Sequence, residues 1–187
     1  MNRQKIHITA PFSPETVQKL RAGDRVLITG TILTARDAAH KRLIESLEKG
    51  EKLPLNLENA VIYYTGPTPA RPNLPIGSAG PTTSGRMDKY TPALIEQCHI
   101  SGMIGKGYRN KEVIDSIKKY AVPYLVTLGG AGALIAKSIK KYTVLAYGDL
   151  GAEAIAAMEV EDFPAIVAID IHGNNFYEQG QAPYQKI

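Results

Sequence analysis

Apolar and polar positions follow two rhythms along the 187-residue chain. Short runs rich in β-branched residues predict strands at Lys5–Ile8, Asp24–Leu33, Ala60–Thr65, Pro123–Thr127, Tyr142–Tyr147 and Ala165–Asp170. A briefer strand-like run reaches Ile104, before the turn Gly105-Lys106-Gly107. The helical rhythm is clearest in Arg36–Lys49, where Ala39, Leu43, Ile44 and Leu47 share a face and Gly50 follows the end. Ser13-Pro14-Glu15 and Thr91-Pro92 each place a capping hydroxyl before a proline, which starts helices there, the second running to about Cys98. Lys111–Tyr120 is a further helix, and Gly129-Gly130-Ala131-Gly132 opens a short one toward Ile139. Ala152–Val160 reads both ways, its alanines favouring helix and its alternation favouring strand. His172-Gly173-Asn174-Asn175 is a turn into Phe176-Tyr177. The imperfect alternation of the two element types predicts an α/β fold with a mixed sheet, as one domain over 1–187.

One stretch breaks both rhythms. From Gly66 to Arg86, proline and glycine recur too often for a regular element: Gly66, Pro67, Pro69, Pro72, Pro75, Gly77, Gly80, Pro81 and Gly85. A loop of about twenty residues is uncommon inside a compact domain and is usually functional or disordered. Its few charges and its dense flanking pattern favour function.

Composition narrows the class. Apolar residues make up 44% and charged residues 21%, which suits a folded globular protein able to bury roughly 70% of its unfolded surface. The start, Met1-Asn2-Arg3-Gln4-Lys5-Ile6-His7, has no apolar core of signal-peptide length, and Val122–Ala136 is too short to span a bilayer. A cytoplasmic location, with no membrane contact, is the expectation. The net charge of +4 invites a nucleic-acid reading, but lysines and arginines are scattered among acids and no basic stripe interleaves with aromatics. Lys118-Lys119 and Lys140-Lys141 end predicted elements as pairs only. No nucleic-acid partner is expected; a basic module that binds an acidic protein or a polyanion stays as a distant rival. With one cysteine, Cys98, the chain can form no internal disulfide and no multi-cysteine zinc or iron–sulfur site. Cys98 falls on the apolar face of its helix, as core packing would place it.

The chemistry gathers where the backbone turns. Arg36 follows a strand and opens a helix, Arg86 closes the long loop, and Lys106 lies between two glycines. Ligands of α/β proteins collect at the carboxyl ends of strands, and a carboxylate suits the arginine fork and the lysine point charge. Taken singly, each is as well read as a solvated surface cation. Gly80-Pro81-Thr82-Thr83-Ser84-Gly85-Arg86-Met87 says more, because three hydroxyls between glycines offer side-chain and backbone donors to one anion. The same hydroxyls could instead bond their own backbone. His40, four residues after Arg36, either orients that arginine, touches a ligand or faces water. Gly102–Gly107 lacks the spacing and hydroxyl of a P-loop, and Gly129–Gly132 misses the dinucleotide pattern. His7, His40, His99 and His172 form no metal-ligand pairing, so no metal site is expected.

Thr34-Ala35-Arg36-Asp37-Ala38-Ala39-His40, the Gly66-Pro67 loop entry, the Thr82-Thr83-Ser84-Gly85-Arg86-Met87 block and Gly105-Lys106-Gly107 together resemble the β region of class I fumarases and L-tartrate dehydratases. Leu150–Ala154 and Val160–Ala165 are similar too, although Ala156-Ala157 is smaller than the aromatic often found there. The resemblance implies a swivelling β/β/α domain. It implies a hydro-lyase of the fumarase type, active only with an α subunit that carries a [4Fe–4S] cluster, whose open iron binds the substrate hydroxyl. An α2β2 hetero-oligomer is the implied assembly, with no cofactor on this chain alone. Carried to matching positions, Arg36, Arg86 and Lys106 bind the carboxylates of a small dicarboxylate substrate. Thr82 sits at the reacting centre as the catalytic residue, with His40, Thr83 and Ser84 as further candidates. The sequence does not separate fumarate and (S)-malate from L-tartrate, nor does it name the proton-abstracting base.

Overall fold

A computed structural model describes residues 5–181. Five strands, β1 (Ile6–Ala10), β2 (Arg25–Thr34), β3 (Val61–Tyr63), β4 (Gly102–Gly105) and β5 (Tyr124–Val126), run parallel in that order. β6 (Ile139–Ala146) and β7 (Ile155–Ile169) complete a mixed sheet ordered β1-β2-β3-β4-β5-β7-β6. β7 also pairs antiparallel with β2, so β2, β3, β4, β5 and β7 close into a five-stranded ring. β1 and β6 are left as outer strands.

The two stretches read separately, Ala152–Val160 and Ala165–Asp170, belong to one 15-residue strand. The alternation in the first stretch therefore outweighs its alanine content. Tertiary pairing decides this, since β7 lies against β6 through Ile155–Val160 and against β5 through Ile166–Ile169. Pro164 falls in the gap between those neighbours. The register with β2 slips between Ile28 and Gly30, opposite Asp162, which adopts a left-handed conformation (φ 51). A bulge and a proline at the switch point let one strand bend from one partner to the next.

The ring has two buried faces, which explains why β3, β4 and β5 read as unbroken apolar runs. Inside, Val61, Tyr63, Ile104 and Leu125 join Ile28, Ile32, Met158 and Phe163. Outside, Ile62, Tyr64, Met103 and Tyr124 meet the helices. Those are α2 (Asp37–Glu48), α3 (Thr91–Cys98) and α4 (Lys111–Tyr120), which contribute Ala39, Leu43, Leu94, Ile95, Val113 and Ile117. Capping follows the sequence signals only in part. Ser13 accepts the Thr16 N–H at 3.2 Å at the head of α1 (Pro14–Lys19), as expected, and Asn110 accepts the Val113 N–H at 2.9 Å at the head of α4. At α3, Tyr90 is the N-cap without a side-chain bond. The Thr91 hydroxyl, expected to cap, donates back to Met87 O at 2.9 Å because Thr91 already lies in the first turn. Short α5 (Gly132–Ala136) stops three residues before the expected Ile139, which begins β6 instead. α6 (Phe176–Gln181) packs back on β7.

The Gly/Pro-rich loop is folded upon itself. Thr68 and Ser78 bond through Thr68 N–H to Ser78 O at 2.9 Å, Tyr63 OH donates to Ala79 O at 2.5 Å, and Thr65 Oγ1 donates to Gly80 O at 2.7 Å. It ends in a 3₁₀ turn, Ser84–Met87, where only irregular chain was expected. No helix among the described residues is long and apolar enough to cross a membrane.

Candidate functional site

Because β2, β3, β4 and β5 are parallel, their carboxyl ends open on one side of the sheet. Arg36 leaves β2 there, Gly66 leaves β3, and Lys106 leaves β4. The fold thereby gathers residues that lie 70 positions apart in sequence.

Arg36 is the N-cap residue of α2, in extended conformation (φ −141, ψ −156), with no side-chain cap of its own. Glu153 supplies the cap from across the fold, accepting the Ala38 N–H at 2.8 Å through Oε2. The other oxygen of Glu153 pairs with the Arg36 guanidinium at 3.5 Å. Arg36 Nε also donates to Asp37 Oδ2 at 3.3 Å, and Arg86 Nε donates to the second oxygen, Oδ1, at 2.8 Å. One carboxylate thus holds both arginines. Burial pushes the Asp37 carboxyl up, but backbone N–H donation, Arg86 and Arg36 outweigh it and hold it below the usual range. The Arg36 side chain lies over Gly66, where an added Cβ would come within 2.7 Å of Nη1. A side chain at the loop entry would therefore displace that guanidinium.

The hydroxyl block divides into two roles. Thr82 is anchored by its backbone N–H to Tyr64 O at 2.7 Å and is half-buried, whereas Thr83 is exposed. Neither hydroxyl is committed to a described residue among the hydrogen bonds of the loop. Ser84 is fully buried and its hydroxyl is occupied, accepting the Lys106 N–H at 3.1 Å and the Tyr124 OH at 2.8 Å. Ser84 N–H donates in turn to Lys106 O at 2.9 Å, so the loop and the Lys106 turn form one rigid unit. Gly105 makes room for it, since a Cβ there would lie 2.0 Å from Ser84 Oγ. Lys106 is half-buried, with its stem along Gly129, and its ammonium has no ion pair among the described residues.

Beneath this face lies a layer the sequence reading did not anticipate. Arg109 is buried, with Nε donating to Asp88 Oδ1 at 2.6 Å and Nη2 to Thr91 Oγ1 at 2.7 Å. Its guanidinium lies 5.3 Å from the Tyr64 ring centre and 5.0 Å from that of Tyr124. The only local signal was an arginine just after Gly107-Tyr108, and its aspartate stands 21 positions away. His40 belongs to the same layer. Its ring is fully buried, so it stands behind Arg36 and away from the open face. Desolvation, aided by the Arg109 charge, pushes its pKa down to about 4, against a smaller opposing effect of the Arg36 carbonyl.

No group of three or more His, Cys, Asp and Glu side chains among the described residues could hold a metal ion. Cys98 is free and buried at the end of α3, where burial pushes its thiol up. These residues do not fit an iron–sulfur cluster.

Fold and site define an α/β domain with a cationic, hydroxyl-bearing face at the carboxyl ends of the parallel strands β2–β5 of a mixed sheet. The chain belongs to the family described as Fumarase C-terminus, which matches residues 1–180. It is 44% identical over 180 residues to fumarate hydratase 2 of Leishmania major, covering 94% of this chain and 31% of that protein. Identity is 41% over 182 residues to the aerobic class I fumarate hydratase of Escherichia coli K12, covering 97% of this chain and 32% of that one. It is 42% over 182 residues to a Methanocaldococcus jannaschii protein provisionally named L(+)-tartrate dehydratase subunit beta, covering 94% of this chain and 93% of that one. The chain thus spans about a third of the fumarate hydratases it matches and nearly all of the separate β subunit.

Proposed function

We propose that this chain is the β subunit of a hydro-lyase that interconverts fumarate and (S)-malate, working with an α subunit that carries a [4Fe–4S] cluster. The observation that carries this reading is the shared grip of Asp37 on Arg36 and Arg86, the latter on the loop whose Ser84 is bonded to the Lys106 turn. Arg86 keeps both terminal nitrogens beyond the Nε held by Asp37, and Arg36 keeps Nη1 while its Nη2 pairs with Glu153, so the two guanidiniums together suit a ligand with two carboxylates. Lys106 adds a third positive charge. When a C–H bond breaks next to a carboxylate, negative charge builds on that carboxylate. Cations already in place stabilise this charged state more than the substrate itself. Thr82 presents its hydroxyl at the reacting centre. An ordinary threonine hydroxyl is a weak acid and a weak base, so hydrogen bonding and placement are its contribution. The cluster finds no ligand set in this chain, and the partner is where it belongs in this reading.

A second reading, the β subunit of an L(+)-tartrate dehydratase, is favoured by the near full-length match to the separate β subunit of Methanocaldococcus jannaschii. The two substrates differ by one hydroxyl, and the same cations serve both. The test is to reconstitute the chain anaerobically with its cluster-bearing partner and to assay fumarate, (S)-malate and L-tartrate. Turnover of fumarate above tartrate supports the first reading, and the reverse preference selects the second. Activity on neither, with salt-sensitive binding to polyanions, overturns both in favour of a basic binding module.

A further inference from the structure

We propose that His40 is a positioning residue that sets the Arg36 guanidinium and ties it to Thr82, an inference that rests on the dicarboxylate reading above. The ring touches both halves of the site from behind. On one side its Nδ1 lies 2.9 Å from the backbone carbonyl of Arg36. On the other it packs edge-on against Tyr64, with ring centres 5.3 Å apart, and Tyr64 O holds the Thr82 N–H at 2.7 Å. Tyr90 closes the third side at 6.2 Å.

A carbonyl oxygen can only accept, so Nδ1 carries the proton and the neutral ring leaves its lone pair on Nε2. That nitrogen is buried with no hydrogen-bond partner among the described residues. A buried acceptor left unpaired is costly, and an aliphatic side chain would avoid the cost. What an aliphatic side chain cannot do is donate to the Arg36 carbonyl, already the acceptor of the His40 N–H at 2.9 Å. The second donor fixes the peptide plane from which the Arg36 side chain departs, one residue before the Asp37 carboxylate that holds both arginines. His40 makes no contact with the open face, so it acts through Arg36.

The experiment measures KM and kcat for (S)-malate, with thermal melting, in the complex carrying His40→Leu, His40→Asn, His40→Gln and Arg36→Ala. The asparagine amide reaches the place of Nδ1, and the glutamine amide reaches past it. His40→Leu and His40→Gln should raise KM by about tenfold and change kcat less than about threefold, since they loosen binding and leave the reacting groups in place. His40→Asn should return KM to within about threefold of the parent. In an Arg36→Ala background His40→Leu should add no more than about twofold, because both changes act on one interaction. Equal KM for the asparagine and glutamine variants, or full multiplication of the His40 and Arg36 effects, overturns the assignment even while Arg36→Ala upholds the site. A complex that neither hydrates nor binds dicarboxylates overturns site and assignment together.

Discussion

Arg86 meets Asp37 at 2.8 Å and Arg109 meets Asp88 at 2.6 Å, yet the two pairs live in different solvents. The first is half open, with side-chain exposures of 51% and 29%, while the second is closed, at 0% and 10%. In the closed pair both aspartate oxygens are used, one by Arg109 and the other by the Asn110 N–H at 2.6 Å, and the guanidinium is sandwiched by tyrosines. In the open pair the aspartate is a holder, and the arginine keeps donors for something else. Equal chemistry at nearly equal distance therefore supports opposite roles. Water decides between them, because a charge can exchange partners at a wet face and cannot do so in a dry layer.

The comparison breaks most sharply at Arg109. Arg109→Ala leaves Asp88 buried without its partner and should cost about 3–5 kcal/mol, read as a large fall in the denaturation midpoint. A loss under about 1 kcal/mol would show that the layer is wet.

His40 gives the next effect, and its sign follows from linkage. Its pKa is about 4 in the fold and near 6.5 when unfolded, so between those values the unfolded chain binds the extra proton. Stability is full above pH 6.5, falls as pH drops through the window, and levels off below about 4. The loss should be on the order of 3 kcal/mol, and His40→Asn should flatten this part of the profile in an acid-denaturation series. Asp37 faces the ring from the head of α2 and Arg109 from the layer below, and only Arg109 adds to the depression.

Gly105→Ala strikes the join between the two regions. The new Cβ collides with Ser84 Oγ, which must give up its bonds to Lys106 and Tyr124. The expected cost is about 1–3 kcal/mol, with a rise in KM beyond any change in melting as the Lys106 turn shifts. Unchanged melting would mean that Ser84 is free to move.

Arg86→Ala is the smallest change to the fold and the sharpest test of the open pair. Melting should stay within about 0.5 kcal/mol of the parent, since half-exposed ion pairs add little. Turnover of the reconstituted complex should fall on the order of a hundredfold, because a charge-assisted contact to a carboxylate is lost. Near-normal turnover removes Arg86 from the site.

The open face was far more legible in the sequence than the layer under it. Arg36, Arg86 and Lys106 stand out as candidates because glycines, prolines and element ends mark where chains turn, whereas only the family resemblance separates Thr82 from its hydroxyl neighbours. The roles of Asp37 and Glu153 leave no local mark, because nothing in the sequence says that one carboxylate will span two arginines or that another will cap α2 from 115 positions away. Ser84 looked like its two threonine neighbours until burial separated it from them. Arg109 was the least legible, since a charged residue in isolation reads as a surface group, and for His40 the choice between orienting Arg36, touching a ligand and facing water was made only by its burial.

By itself the sequence determined most of the elements, the Ser13 cap and the long loop, because these depend on contacts a few residues apart. It also determined that one cysteine cannot ligate a cluster. Only the tertiary structure decided that β7 is one strand closing a ring with β2, that the Ser84 hydroxyl is buried and bonded to the Lys106 turn while Thr82 is half-buried, and that His40 lies behind Arg36. Each of those depends on which distant segments exclude water together, and burial is a property of the assembled fold that no local rhythm records.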